Sequence, residues 1–370
     1  MRLSVESPYL KERHLAFAKA ARELGPQLPT ESPYVLADGR RAVELMASAG
    51  LFRALEQVEA LSICAIREEL ASFSGLCDSI FAVQGLGSYP LALGGSEALK
   101  AKLLPAAARG ERVFAFALSE PEAGSDAANL RTTARRVGES YVLDGGKRFI
   151  SNSGIADHYT VFARTEGERR ISAFLVDVGT PGFTVGPQQE LLAPHPLAEL
   201  TFNECVVPAS RRLGEEGQGL KLALSTLDVF RATVGAAAVG MGKRALGDAL
   251  AHAKSREQFG APLFELQGVQ FLLAESATEL DAARLLVHHA ASVKDGGVRV
   301  TYEAAVAKLF ATEAGQRAID RSLQIFGGTG VCKGNAIERL YREIRALRIY
   351  EGASEVQKVV IARELAKSSR

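Results

Sequence analysis

Three observations predict an α+β multidomain chain with an N-terminal helical domain, a central small antiparallel sheet or β-barrel and a C-terminal four-helix bundle. Helical periodicity runs over about 10 to 110, short runs with turn pairs fill 113 to 207, and long apolar seams follow Pro208. The boundaries that follow are 1–112, 113–207 and 208–370. In the first region "GRRAVELMASAGL" and "SEALKAKLLPAAARGE" read as helices, the second capped by Ser96 and closed at Gly110.

In the middle region "SYVLDGGKRFIS" is expected to form a hairpin at Asp144-Gly145, and "YTVFARTEGERRISAFLVDV" another at Glu166-Gly167. Pro181-Gly182 marks a further turn. Beyond Pro208, Leu266, Val269, Leu273, Ser276, Leu280, Ala283, Val287 and Ala290 recur at steps of three and four, as do Ala305, Leu309, Thr312, Gln316, Ile319, Leu323 and Phe326. An Ala/Gly-rich helix over about 219 to 253 and a fourth over about 336 to 366 complete the bundle. That fourth helix would carry Glu351.

Composition narrows the function classes. Lys plus Arg number 44 and Asp plus Glu 43, a formal charge of +1, so the global balance favours neither nucleic acid nor an anionic membrane. Cys64, Cys77, Cys205 and Cys332 form no C-x-x-C pair, which argues against a zinc cluster or a disulfide framework and fits a reducing, cytoplasmic setting. No run approaches the roughly 20 apolar residues of a membrane span, and the N-terminus reads as neither a signal nor a transit peptide. The six histidines include no H-E-x-x-H, and no G-x-x-x-x-G-K-[ST] occurs, so neither a metal centre nor ATP chemistry is expected. "FGGTG" at 326–330 follows a helical seam, not a strand, and so reads as a helix end.

Chemistry-bearing residues lie in a few short phrases. "LSEPEAGSD" (118–126) ends a strand in small residues whose amides and hydroxyls can cradle a polar ring, although the same residues can cap themselves. "SREQFGAPL" (255–263) offers Arg256, whose fork suits a pyrophosphate, and Phe259, whose face suits a base; Arg256 could equally be a solvated helix-end cation. "IYEGASEVQ" (349–357) sets Glu351 between an aromatic residue and a glycine. That triplet offers an apolar wall, a carboxylate and close backbone approach, the needs of a desolvated base held against a ligand.

With "QIFGGTG" (324–330) and "GGKRFISNSG", these phrases resemble the acyl-CoA dehydrogenase family in order and spacing, over about residues 70 to 365. The resemblance implies helical, β-barrel and helical-bundle domains. It also implies FAD held by Leu118, Ser119, Phe149 and Ser151, with Arg256, Phe259, Gln324, Gly327 and Gly328 reaching the FAD of a neighbouring subunit. A homo-oligomer, a tetramer or dimer, would then be required. Ser151 would reach the flavin N5 edge; Phe149 would lie beside the ring, or alternatively belong to the barrel core.

Glu351 is the implied catalytic base, since the alternative position two residues after Asp228 is Phe230. Ser125, Arg231, Tyr350, Gly352 and Phe81 would face the substrate. The implied reaction forms a 2,3-enoyl thioester from an acyl-CoA, with an electron-transfer flavoprotein as acceptor. Rival readings are an acyl or aminoacyl group carried on a carrier protein, an oxygen-consuming flavin enzyme of the same fold, and a non-catalytic acyl-CoA-binding scaffold. From Leu70 to Ser96 the only charged residue is Asp78, which favours an apolar acyl chain. Three departures from the family pattern stand out: Ala353 in place of a hydroxyl residue, Arg342-Glu343 in place of an Arg-Asp pair, and the Pro-rich "LLAPHPLAEL" at 191–200.

Overall fold

A computed structural model describes residues 7–31, 34–166 and 170–368. Five helices come first: α1 (Glu12–Leu24), α2 (Val35–Ser48), α3 (Ala60–Phe73), α4 (Gly75–Gly94) and α5 (Glu97–Ala108). The Ser96 hydroxyl accepts from the Leu99 amide at the start of α5, and Gly110 turns the chain beyond its end with φ 70°. Strands β1 (Phe114–Ala117), β2 (Thr133–Val137), β3 (Ser140–Ser151), β4 (His158–Arg164), β5 (Ile171–Asp177), β6 (Phe183–Gln188), β7 (Leu197–Pro208) and β8 (Arg212–Leu213) follow. The chain then runs through α6 (Gly219–Ser255), the short β9 (Glu257–Gln258) and β10 (Ala261–Pro262), α7 (Gln267–Asp295), α8 (Thr301–Phe326), α9 (Ala336–Leu347) and α10 (Ser354–Ser368).

The described residues divide into two compact units, one drawn from Met1–Thr30, Glu59–Asp78 and Asp228–Arg370, the other from Glu31–Val58 and Ser79–Leu227. In the first unit the α7 seam is buried at Leu273, Ser276, Leu280, Ala283, Val287 and Ala290, while Val269 is half-buried and Leu266 exposed; of the α8 seam Ala305, Thr312 and Ile319 are buried and Leu309, Gln316, Leu323 and Phe326 half-buried. Small residues let the helices approach closely. A Cβ on Gly240 would fall 1.9 Å from the Glu68 carbonyl oxygen, so only glycine fits there. By length and composition α6 could cross a membrane, but 72% of its most apolar window is buried within the protein, which makes it a core helix.

The expected fourth helix over 336 to 366 is two helices, α9 and α10, and Glu351 sits in the break between them. Glu351 and Gly352 adopt φ of 52° and 97°, which no α-helix accommodates. Apolar residues recur on both sides of the break, so the sequence pattern hides it.

In the second unit the strands pair in the order β6-β7-β3-β2-β4-β5-β8, with β1 against β4. Most pairs are antiparallel as expected, but β1 and the end of β2 run parallel to β4. Asp144-Gly145 is not a hairpin. β3 is one continuous strand, and its register against β7 shifts between Leu143 and Gly145, a bulge. Gly145 has φ 136°, and a Cβ there would lie 2.8 Å from Thr132 Cα, so the glycine serves close approach, not reversal. The hairpin turn lies earlier, at Gly138, between β2 and β3. β4 and β5 do form a hairpin, with Arg164 opposite Ile171; Gly167 lies outside the described residues. Pro181-Gly182 turns the chain into β6.

Candidate active site

The first unit gathers Glu351, Tyr350, Gly352 and Arg231. The break that carries Glu351 is held through its carbonyls. Arg231 Nε donates to the Glu351 carbonyl at 3.4 Å, while Lys308 Nζ and Gln357 Nε2 donate to the Gly352 carbonyl at 2.8 and 2.9 Å. A Cβ on Gly352 would come within 2.2 Å of Gln357 Nε2. These donors hold the left-handed backbone in place, and such strain in a non-glycine residue typically marks a functional position.

The Glu351 side chain is half-buried, and its Oε2 is a buried atom with no hydrogen-bond partner. Burial raises its carboxyl above the ordinary value, opposed by the Arg67 guanidinium and the Lys308 ammonium. The Glu351 backbone N–H makes no hydrogen bond among the described residues. An unpartnered carboxylate oxygen and an unpartnered amide in one residue can remove a proton and donate to an oxyanion.

Arg67 and Lys308, the two cations that oppose the shift at Glu351, are residues that the sequence reading missed. Lys308 is wholly buried on α8, and burial lowers its ammonium to about 8. Arg67 is wholly buried on α3. Its Nε and Nη2 each lie 2.8 Å from an Asp78 carboxylate oxygen, and its Nη1 donates to Thr233 Oγ1 at 2.8 Å. A signal was present for Lys308, the one cation in the otherwise apolar run "AAVAKLFA"; Arg67, in "ICAIREELA", is followed directly by Glu68 and Glu69 and so reads as part of a charged cluster. Tyr350 packs on the cluster that includes Ile319, Ile337 and Ile344. Phe230 is fully buried, and Asp228 is taken up by Arg231 Nη1 and Thr301 Oγ1, each at 2.8 Å, so no second base stands there. Arg342 binds Glu338, and Glu343 binds Arg339 and the Gly75 amide.

At another end of the same unit, His252 in the last turn of α6 stacks on Phe326, the last residue of α8, with ring centres 4.3 Å apart. The loops that follow these helices therefore start side by side, bringing "SREQFG" and "QIFGG" together. Phe259 is 94% exposed with φ 54°, and the Arg256 side chain makes no ion pair or hydrogen bond among the described residues. Gln324 is exposed, and Cβ atoms built on Gly327 and Gly328 would meet nothing within 4 Å. An open glycine surface beside a free guanidinium and a bare aromatic ring fits a pyrophosphate and a flat base.

The second unit carries the hydroxyls. Ser119 and Ser125 follow β1 in a loop pinned from beneath by a buried ion pair: Lys147 Nζ lies 2.7 Å from Glu120 Oε1 and donates to the Leu118 carbonyl at 3.2 Å. Burial disfavours both charges. It lowers Lys147 to about 8, while Lys147 and the Arg131 and Thr132 amides still hold Glu120 below its ordinary value. The Arg148 amide donates to the Ser119 carbonyl at 2.9 Å, tying this loop to β3. Ser125 is exposed, Leu118 is buried, and Phe149 is 55% exposed with φ 57° under the Arg148 guanidinium. An exposed aromatic ring held in a strained backbone suits a stacking role. Ser151 closes β3 and bonds His195. Phe81 has no exposed surface and stacks on Phe52 at 5.8 Å, a core placement. Among the described residues no group of three His, Cys, Asp or Glu could hold a metal ion.

Similarity to known proteins agrees with these sets. Residues 42–111, 115–205 and 217–366 match the N-terminal, middle and C-terminal domains of acyl-CoA dehydrogenase. Cyclohexane-1-carbonyl-CoA dehydrogenase of Geobacter metallireducens is 38% identical over 322 residues, 86% of this chain and 85% of that protein. The structure of butyryl-CoA dehydrogenase from Megasphaera elsdenii superposes with a TM-score of 0.91 at 35% identity, covering 96% of this chain and 99% of that one. An acyl-CoA dehydrogenase from Bacillus anthracis, solved with FAD, gives 0.90 at 29% identity over 99% of this chain and 70% of that one. The chain belongs to the acyl-CoA dehydrogenase family.

Proposed function

We propose that the chain is an FAD-dependent dehydrogenase that converts an acyl-CoA with an apolar acyl chain to the 2,3-enoyl-CoA, with Glu351 as the base. The observation that carries this reading is the unpartnered Oε2 of Glu351 beside two buried cations. A desolvated carboxylate is basic enough to take the α-proton, and Arg67 and Lys308 oppose the upward shift that burial causes. The unpartnered Glu351 amide donates to the thioester carbonyl oxygen as negative charge builds there. Bound FAD supplies the hydride acceptor, at N5.

Ser119, Phe149 and Ser151 hold the flavin ring, and Leu118 backs it. Arg256, Phe259, Gln324, Gly327 and Gly328 take the pyrophosphate and adenine portion of FAD from a second copy of the chain. Their exposure supports an assembly of two or four copies, though it does not distinguish them. Ser125, Arg231, Tyr350 and Gly352 serve the substrate. Asp78, the only charge between Leu70 and Ser96, is occupied by Arg67, and Arg67 by Asp78 and Thr233, so neither is free for a distal carboxylate on the acyl group. Phe81, expected to face the substrate, has no exposed surface and belongs to the core with Phe52. An electron-transfer flavoprotein in the same, cytoplasmic compartment reoxidises the enzyme.

The test is anaerobic titration of the purified flavoprotein with acyl-CoAs of graded length and branching, followed by flavin absorbance. Bleaching by neutral acyl chains, and not by dicarboxylyl-CoA, is the expected result. Bleaching only by carrier-protein thioesters, or rapid oxygen consumption with substrate, would overturn it. So would a protein that takes up no FAD.

A further inference from the structure

The Pro-rich stretch before β7 holds a histidine between two serine hydroxyls. His195 Nε2 lies 2.6 Å from Ser151 Oγ, and Nδ1 lies 2.9 Å from Ser79 Oγ. Ser151 ends β3, Ser79 is 8% exposed on α4, and the imidazole is partly buried between them. Pro194 and Pro196 flank His195, so φ is fixed on both sides and the ring is carried on a stiff segment. Burial pushes the imidazolium down to about 4, so the ring is neutral near pH 7.

A neutral imidazole has one N–H donor and one acceptor nitrogen. It therefore treats the two serines differently. With Ser79 O–H donating to Nδ1, the Nε2–H donates to Ser151 Oγ and occupies one of its lone pairs, and the Ser151 hydrogen must then point away from the ring. Without that N–H the Ser151 hydroxyl would rotate freely. We infer that His195 adopts the tautomer in which Nδ1 accepts from Ser79, and that it is a positioning residue: its Nε2–H holds Ser151 Oγ in place and directs the Ser151 hydrogen toward the flavin edge. This rests on the placement of Ser151 at that edge under the proposed function. A hydrogen bond donated to N5 draws electron density from it and makes hydride acceptance easier.

The experiment is a double-mutant cycle on the FAD-loaded enzyme, reading the midpoint potential, the visible absorbance of the bound flavin and the rate of its reduction by substrate. Ser151→Ala is expected to move the potential to more negative values and slow reduction about tenfold, the effect of one hydrogen bond. His195→Leu should do the same with FAD still bound, and the double variant should add nothing further. His195→Gln, whose side-chain amide can donate to Ser151, should restore much of the wild-type potential and spectrum; His195→Phe, which also lacks a donor, serves as the test variant should the leucine variant not fold. Effects of the two single changes that simply add would overturn the inference. So would a His195→Leu variant with wild-type potential and spectrum while Ser151→Ala shifts both, and that outcome would leave the proposed function standing. Unchanged potential and spectrum in Ser151→Ala would instead refute the placement of Ser151, and the inference with it.

Discussion

The break around Glu351 and the hydroxyl-bearing loops around Ser119 and Ser151 solve opposite problems. At Glu351 the backbone carbonyls are secured by Arg231, Lys308 and Gln357, while the carboxylate oxygen and the amide have no partners. At Ser151 the reactive-looking atom is itself held, by a neutral His195, and the Ser119 loop is anchored by the buried Lys147–Glu120 pair. A base gains strength from leaving its side chain unsatisfied on a fixed backbone. A hydrogen-bond donor gains direction from being satisfied on one side. Both regions carry positive φ at non-glycine residues, Glu351 in one and Phe149 in the other.

The contrast can be broken most severely at its unsatisfied member. Glu351→Gln keeps the shape and removes the proton acceptor, so flavin reduction by substrate should fall about 10³-fold or more with FAD still bound, as stopped-flow absorbance will show. On the satisfied side, Lys147→Met leaves Glu120 buried and unpaired. The expected loss is about 3–5 kcal/mol in denaturant unfolding, because removing one partner strands a buried charge.

The pH profile sharpens the same comparison. Glu351 works as a carboxylate and its value is raised by burial, so reduction should slow as pH falls through that raised value, roughly tenfold per unit on the acid limb. Lys308→Met removes one of the opposing cations and should displace that limb to higher pH; an unchanged limb would exclude an electrostatic role for Lys308. The smallest effect is expected at Ala353. Restoring a hydroxyl as Ala353→Thr should strengthen FAD retention by about 1 kcal/mol, roughly fivefold, measured by flavin release on dilution.

Much of the architecture was legible because periodicity reports burial directly: the α7 and α8 seams, the Ser96 cap and the strand region all correspond to buried faces or local hydrogen bonds. Asp144-Gly145 misled because the same dipeptide serves a turn and a bulge, and only the approach of Thr132 distinguishes them. The Glu351 break was illegible for a related reason. No proline marks it, a single glycine is compatible with a helical pattern, and the side chains that hold it come from α6, α8 and α10. For the candidate site, the short phrases exposed Glu351, Ser119 and Arg256, while Arg67, Lys308 and His195 escaped. Their roles depend on partners far away in sequence: Thr233 for Arg67, Gly352 for Lys308, and Ser79 and Ser151 for His195.

The way the Glu351 break is held has a consequence for protein engineering. Because the turn is enforced by Arg231, Lys308 and Gln357 rather than by its own residues, the Tyr-Glu-Gly triplet is not portable. Grafted into another helical scaffold it would revert to ordinary helix and point its carboxylate into solvent. What must be transplanted is the set of three remote donors, with the glycine that lets one of them come close.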